Sequence, residues 1–223
     1  DSYRQSDFRL VSALVEDSSS RNDMTYQSIG FLLMFMMFSA TNLSELILKE
    51  KENRTFLRLL SSPMSAASYV LSNVAVSIVV MMLQVAAALV FMKAVFRIDS
   101  GIPAVQLASL LLLFAFVAVG LALLIVAFSK TSASSGALQT LVVVPTCMLS
   151  GCFFPVDIMP DSIRRISEFM PQRWLLDMVE RLQQGDSFGS LVLPMTVLAA
   201  FAAAFALIAV YRFSRNNDAR QFV

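Results

Sequence analysis

Leu110 to Phe128 reads LLLLFAFVAVGLALLIVAF, with no charged side chain anywhere in it. The apolar run extends from about Ala104 to Ser129. That is long enough to cross a bilayer, whose hydrocarbon core of about 30 Å needs roughly 20 helical residues. The run does not alternate between apolar and polar residues, so the strands of a membrane barrel do not fit it. In lipid the backbone N–H and C=O groups must be satisfied within the protein, and a helix does this inside one segment.

Four further runs share this character. They lie at about Met24–Leu48, Ser68–Met92, Ser132–Phe154 and Leu191–Phe213. The Ser132 run opens with small polar residues and carries Pro145. Together the five predict an all-α fold, a polytopic transmembrane helical bundle, over residues 24–223. The polar stretch 1–23, with a turn signal at Ser18–Arg21 (SSSR), reads as the end of a segment outside the membrane. The first run lacks the charged start and small-residue cleavage site of a signal peptide.

Composition agrees. The chain has 223 residues, 57% of them hydrophobic and 15% charged, and its mean hydropathy is +0.70. Soluble domains sit near 45–50% apolar and about 25% charged, so a water-soluble enzyme is excluded. A net charge of +1 offers no basic surplus for a nucleic-acid partner.

The chemistry available is sparse. The sequence has no His, which removes the usual general base and the commonest metal ligand. It has no P-loop, GxSxG or HExxH motif, and no acidic residue lies mid-span. The expectation is a chain with no catalytic site, no metal and no nucleotide site of its own. Cys147 and Cys152 lie in apolar surroundings, and neither a disulfide framework nor a CxxC site is readable.

Polar residues inside the runs are few: Asn42, Glu45, Asn73, Gln84 and Gln139. A buried charge in a membrane marks a functional site by default. Glu45, however, stands four residues before Lys49, the spacing of a helical ion pair. Asn73, Gln84 and Gln139 read as helix–helix contacts. The small residues Thr131 to Ala137 permit close helix packing.

Two segments between the runs stand out. Glu45 to Ser62 reads ELILKEKENRTFLRLLSS. Its charges (Glu50, Lys51, Glu52, Arg54, Arg58) are followed by an apolar face of Phe56, Leu57, Leu59 and Leu60, and Pro63 closes it. This is an amphipathic helix that rests on the membrane surface or docks on a partner. Pro155 to Phe188 is punctuated by Pro155, Pro160 and Pro171. Its apolar residues recur at helical spacing, which predicts two short interfacial helices broken at Pro171, with Trp174 at headgroup depth. Gly151 and Pro145 loosen the run before Phe153 and Phe154, which suits a helix that turns back at the membrane surface. The basic residues divide almost evenly between the two sides. The compact tail of Arg212, Arg215 and Arg220 favours an inner C-terminus.

On these two segments the chain resembles the permease subunits of ABC-2 type exporters, the type V-like bacterial kind that includes drug-resistance systems. One match is Lys49-Glu50-Lys51-Glu52-Asn53-Arg54-Thr55-Phe56-Leu57-Arg58-Leu59-Leu60-Ser61-Ser62-Pro63, with Arg54 where the family commonly has Gly. The other is Leu149-Ser150-Gly151-Cys152-Phe153-Phe154-Pro155 through Pro160, then Pro171 and the helix from Trp174. The resemblance implies six spans, the first followed by an extracellular domain, so that Asp1 falls within that domain. It implies a coupling helix formed by Glu50, Lys51, Glu52, Arg54, Thr55, Phe56, Arg58, Leu59 and Leu60. It implies an outer re-entrant gate at Gly151, Phe153, Phe154, Pro155, Pro160, Pro171 and Trp174.

The implied partners are a separate ATP-binding subunit that holds ATP and Mg²⁺, a second permease subunit (identical or not), membrane lipid, and a small amphipathic or lipid-like substrate such as an antibiotic. The implied location is the plasma membrane. From the residues alone, an ion-coupled secondary carrier and a non-transporting membrane component stay open as alternatives. Scarce mid-span charge counts against the carrier.

Overall fold

The computed structural model describes residues 2–53, 66–94 and 101–215. Among them the chain is helical and has no strand. The helices are α1 (Ser2–Glu52), α2 (Ala66–Ala94), α3 (Ala104–Phe128), α4 (Ser132–Ser150), α5 (Asp161–Ser167), α6 (Pro171–Gln183) and α7 (Val192–Arg215). Short 3₁₀ turns at Val156–Ile158 and Phe188–Leu191 lead into α5 and α7. Five stretches have the length and composition of membrane spans: Thr25–Glu50, Leu71–Ala94, Ala104–Phe128, Ser132–Ser150 and Phe188–Arg212. The architecture is a polytopic helical bundle.

The uncharged run Leu110–Phe128 lies in the hub of the bundle, helix α3. In its most apolar window α3 is 78% buried, against 17% for α2 and for the last span. A helix that is apolar on every side belongs in the interior, and here it packs against α1, α2 and α7. Lipid tails are as apolar as leucine, so association rests on close packing. Gly120 of α3 supplies it. A Cβ there would stand 3.2 Å from Phe205 Cβ and 3.3 Å from the Ala202 carbonyl oxygen of α7.

Helix α1 continues without a break through Ser18–Arg21, where the sequence suggests a turn. The helical penalty of serine is a few tenths of a kcal/mol per residue, too small to interrupt a long helix. At 1.5 Å per residue, α1 is far longer than the roughly 30 Å hydrocarbon core. Only its Thr25–Glu50 part reads as a span.

Helix α4 is defined at both ends by side chains. Thr131 is its N-cap: its hydroxyl accepts the Ser134 N–H at 3.2 Å, and Ser134 Oγ accepts the Thr131 N–H at 3.1 Å. This is a reciprocal capping box. At the other end Gly151 adopts φ +94°, and the Cys152 N–H donates to the Cys147 carbonyl at 3.1 Å. A left-handed C′ residue stops a helix. So α4 ends at Ser150 although the apolar run continues to Phe154.

The chain after Gly151 turns back onto α1. A Cβ on Gly30 would overlap the carbonyl oxygen of Cys152 and stand 2.9 Å from its Cα. Phe31 meets Phe153 edge-on, with ring centroids 5.4 Å apart. Because Glu52 lies beside Ser132 and Gly30 beside Cys152, α1 and α4 run antiparallel.

Gly30→Ala places a methyl group against backbone, which cannot rotate away. Overpacking of this kind costs about 1–3 kcal/mol or more. Gly136→Ala, in the same bundle, meets nothing within 4 Å. Thermal unfolding of the purified protein is expected to show a marked drop in midpoint for the first variant. The second should match or exceed wild type.

Candidate functional site

Of the residues singled out by sequence, Glu52 lies at one end of the α1–α4 pair and Gly151 and Phe153 at the other, with polar contacts strung between. At the first end, the Glu52 carboxylate accepts the Ser132 N–H at 2.9 Å and the Ser132 hydroxyl at 2.8 Å. These are groups at the N-terminus of α4, where unpaired N–H groups and the positive end of the helix dipole favour an anion. The backbone N–H of Ser132, then its hydroxyl, hold the Glu52 carboxyl below its ordinary value of 4.5, and the charge of Lys49 adds to this. Lys49 itself pairs with Glu45 at 3.1 Å. Nearby, Arg212 of α7 stacks 5.2 Å over the ring of Phe128, the last residue of α3.

Glu50 and Glu52 therefore sit at the tip of α1. Lys51 is in the same helical turn. Arg54, Thr55, Phe56, Arg58, Leu59 and Leu60 lie outside the described residues. What the structure fixes is the anchor from which that stretch departs.

Between the ends, two amides stitch the helices. Gln139 of α4 donates to the Phe38 carbonyl of α1 at 3.1 Å. Gln172, near the start of α6, is fully buried. Its Nε2 contacts Thr146 Oγ1 of α4 at 3.1 Å and Met37 Sδ of α1 at 3.0 Å. The Thr146 hydroxyl also reaches the Val142 and Val143 carbonyls, at 2.8 and 3.0 Å, beside Pro145. Gln172 thus joins three helices. No motif in the sequence marks Gln172. The available signal was a polar residue heading the stripe Leu175, Leu176 and Val179, the buried face of α6.

At the second end stands the turn from Gly151. A Cβ on Gly151 would stand 2.9 Å from the Tyr26 hydroxyl and closer still to Val156. Phe153 packs on α1, while Phe154 is exposed. Pro155 and Pro160 precede the 3₁₀ turn and α5, and Pro171 is the first residue of α6. Proline suits that place because its missing N–H is not needed there. Trp174 Nε1 donates to the Glu168 carbonyl at 2.8 Å and ties α6 to the α5–α6 turn.

Of the remaining polar residues, Asn73 lies on α2 and has a partner. Asn42 and Gln84 both line a groove of about 770 Å³ between α1 and α2. Phe35, Phe38 and Phe91 form much of its wall. Gln84 Oε1 is buried and has no hydrogen-bond partner among the described residues. Among those residues no three His, Cys, Asp or Glu side chains come together as a metal site would require.

An all-helical bundle with five apolar spans, a charged tip and a proline-punctuated return at the opposite end has the features of a membrane permease. Residues 3–211 match the model of the ABC-2 family transporter protein. The chain belongs to that family and is a multi-pass protein of the cell membrane. It is similar to the linearmycin resistance permease protein LnrN of Bacillus subtilis (strain 168), with 30% identity over 189 residues. That match covers 84% of this chain and 49% of LnrN, so the chain spans about half the length of that relative. A shorter stretch of 63 residues, 28% of this chain and 24% of the relative, is 33% identical to nodulation protein J of Rhizobium leguminosarum bv. viciae.

The Glu52 contact has a definite pH sign. Its folded-state pKa is depressed, so its contribution is complete above the ordinary carboxylate value. It is lost as pH falls through the lower folded value. Thermal midpoints of wild type are expected to fall more steeply below pH 4.5 than those of Glu52→Gln, which has no charge to lose. Parallel curves would count against the contact.

Proposed function

We propose that the chain is the transmembrane part of an ATP-driven exporter that moves an amphipathic or lipid-like molecule, such as an antibiotic, out across the plasma membrane. The observation that carries this is the family match along nearly the whole chain. The resistance named in LnrN supports a toxic small molecule as cargo. ATP and Mg²⁺ are bound by a separate subunit, and two permease subunits complete the pathway. The Glu52 end faces the cytoplasm, and the Gly151 end faces outward.

Energy enters through the stretch from Glu50 to Leu60. Phe56, Leu59 and Leu60 fill a groove on the ATP-binding subunit, and Lys51, Glu52, Arg54 and Arg58 set the register. A push on this stretch acts first on the tip of α1. Because Glu52 is bonded to the first residue of α4, the same push acts on α4. The amides of Gln139 and Gln172 carry it along the pair to the Gly151 turn, which serves as the outer gate. The aromatic groove beside Asn42 and Gln84 supports an apolar cargo with some hydrogen-bonding capacity.

The test is reconstitution of the full permease with its ATP-binding partner in proteoliposomes. Transport is expected to require ATP hydrolysis. Transport that continues without ATP and stops when an ion gradient is collapsed would contradict the proposal. Phe56→Asp or Leu59→Asp is expected to lower ATP-driven transport at least about tenfold, the scale of losing a docking anchor worth about 2 kcal/mol, with membrane insertion unchanged. Undiminished transport would reject the docking role.

A further inference from the structure

The turn that ends α4 holds a pair of thiols that the transport mechanism does not use. In a Schellman turn the side chains flanking a left-handed C′ residue come into contact, C3 against C″. Here C′ is Gly151, with φ +94°, so C3 is Cys147 and C″ is Cys152. The 6→1 hydrogen bond that defines the motif is present, from the Cys152 N–H to the Cys147 carbonyl at 3.1 Å. Ser150 Oγ donates to the Cys147 carbonyl at 3.1 Å and lies 3.3 Å from Cys152 Sγ. Gln172 Nε2 lies 3.8 Å from Cys147 Sγ. Both cysteines are free and buried.

We propose that Cys147 and Cys152 form a reversible disulfide that locks the Gly151 turn. A disulfide needs Cα atoms within about 4.4–6.8 Å and Cβ atoms directed at each other, and the closed 6→1 turn brings C3 and C″ side by side. The oxidant is an external small-molecule disulfide. One protein thiol loses its proton, and the thiolate attacks a sulfur of the external disulfide. That S–S bond breaks, leaving a mixed disulfide and expelling one small thiolate. The second protein thiolate attacks the protein sulfur of the mixed disulfide and expels the other small thiolate. The two protons lost by the protein are taken up by the two small thiolates, which leave as thiols. The cysteine pair is oxidised by two electrons, and the external disulfide is reduced by two.

Access is conditional. Cys152 is covered by the backbone of α1 at Gly30, so an external disulfide reaches the pair when the turn lifts from α1. The cross-link then ties C3 to C″, and the turn at Gly151 can no longer unwind. Placing this site on the outer, oxidant-facing side rests on the function proposed above; the pairing itself does not.

The test uses the full-length permease in sealed vesicles, with oxidised glutathione added on one side at a time. The protein is then denatured in N-ethylmaleimide and mapped by mass spectrometry. The expected result, with oxidant on the Gly151 side, is loss of alkylation at both cysteines. A linked Cys147–Cys152 peptide, lighter by two hydrogens, should appear and be reversed by dithiothreitol. Full alkylation of both, under conditions in which a variant with exposed Ser162→Cys, on the Gly151 side, becomes glutathionylated by the same oxidant, overturns the pairing. A linked peptide formed only with oxidant on the Glu52 side overturns the outward placement. Neither result depends on ATP or on a partner subunit, so export and the disulfide stand or fall separately.

Discussion

The close antiparallel contact of α1 with α4 is the constraint on which the rest of this bundle depends. In a bilayer, apolar faces gain little by leaving lipid for each other, and helices are held by close approach and by hydrogen bonds. Both devices are concentrated on this one seam. Gly30 lets backbone meet backbone at one end. Glu52 closes the other with two hydrogen bonds. Gln139 and Gln172 bridge the middle. The Gln139 and Gln172 bonds, within the bundle, are each worth about 0.6–2 kcal/mol. The spacing of the contacts matters more than their sum, because a pair tied at both ends and in the middle has little freedom to bend apart.

The seam also gives the two segments marked by sequence a physical connection. The start of the charged stretch, at Glu52, and the start of the proline-punctuated return, at Gly151, lie at opposite ends of the same pair of helices. Helices α2 and α7 present most of their surface outward. A bundle of this kind can divide into a stiff pair and a looser surround, which suits a protein that must change shape while keeping every span in lipid.

Much of the fold is legible in the sequence because span detection needs only length and hydropathy. The run at Leu110–Phe128 declares its burial by being apolar on every side. The break at Pro171 and the Glu45–Lys49 pair follow from local rules. The seam is less legible, since its contacts join residues far apart in the chain. Nothing near Glu52 points to Ser132, and a glycine in an apolar run gives no hint that Gly30 meets Cys152. Gln172 leaves a faint trace as a polar residue on an apolar stripe. The serine run before the first span misleads, because local propensity is weak beside the continuity of a long helix. The thiol pair is readable only once Gly151 is known to be left-handed.

The central claim is that α1 and α4 move as one body. Spin labels on exposed Leu46 of α1 and exposed Leu141 of α4, with a second pair on Leu46 and exposed Leu71 of α2, allow distances to be measured by pulsed electron resonance, with Cys147 and Cys152 replaced by Ser. The assembled transporter would be compared without nucleotide and with ATP trapped. The account predicts an unchanged Leu46–Leu141 distance distribution and a shifted Leu46–Leu71 distribution. A Leu46–Leu141 distance that changes as much as the other would contradict it.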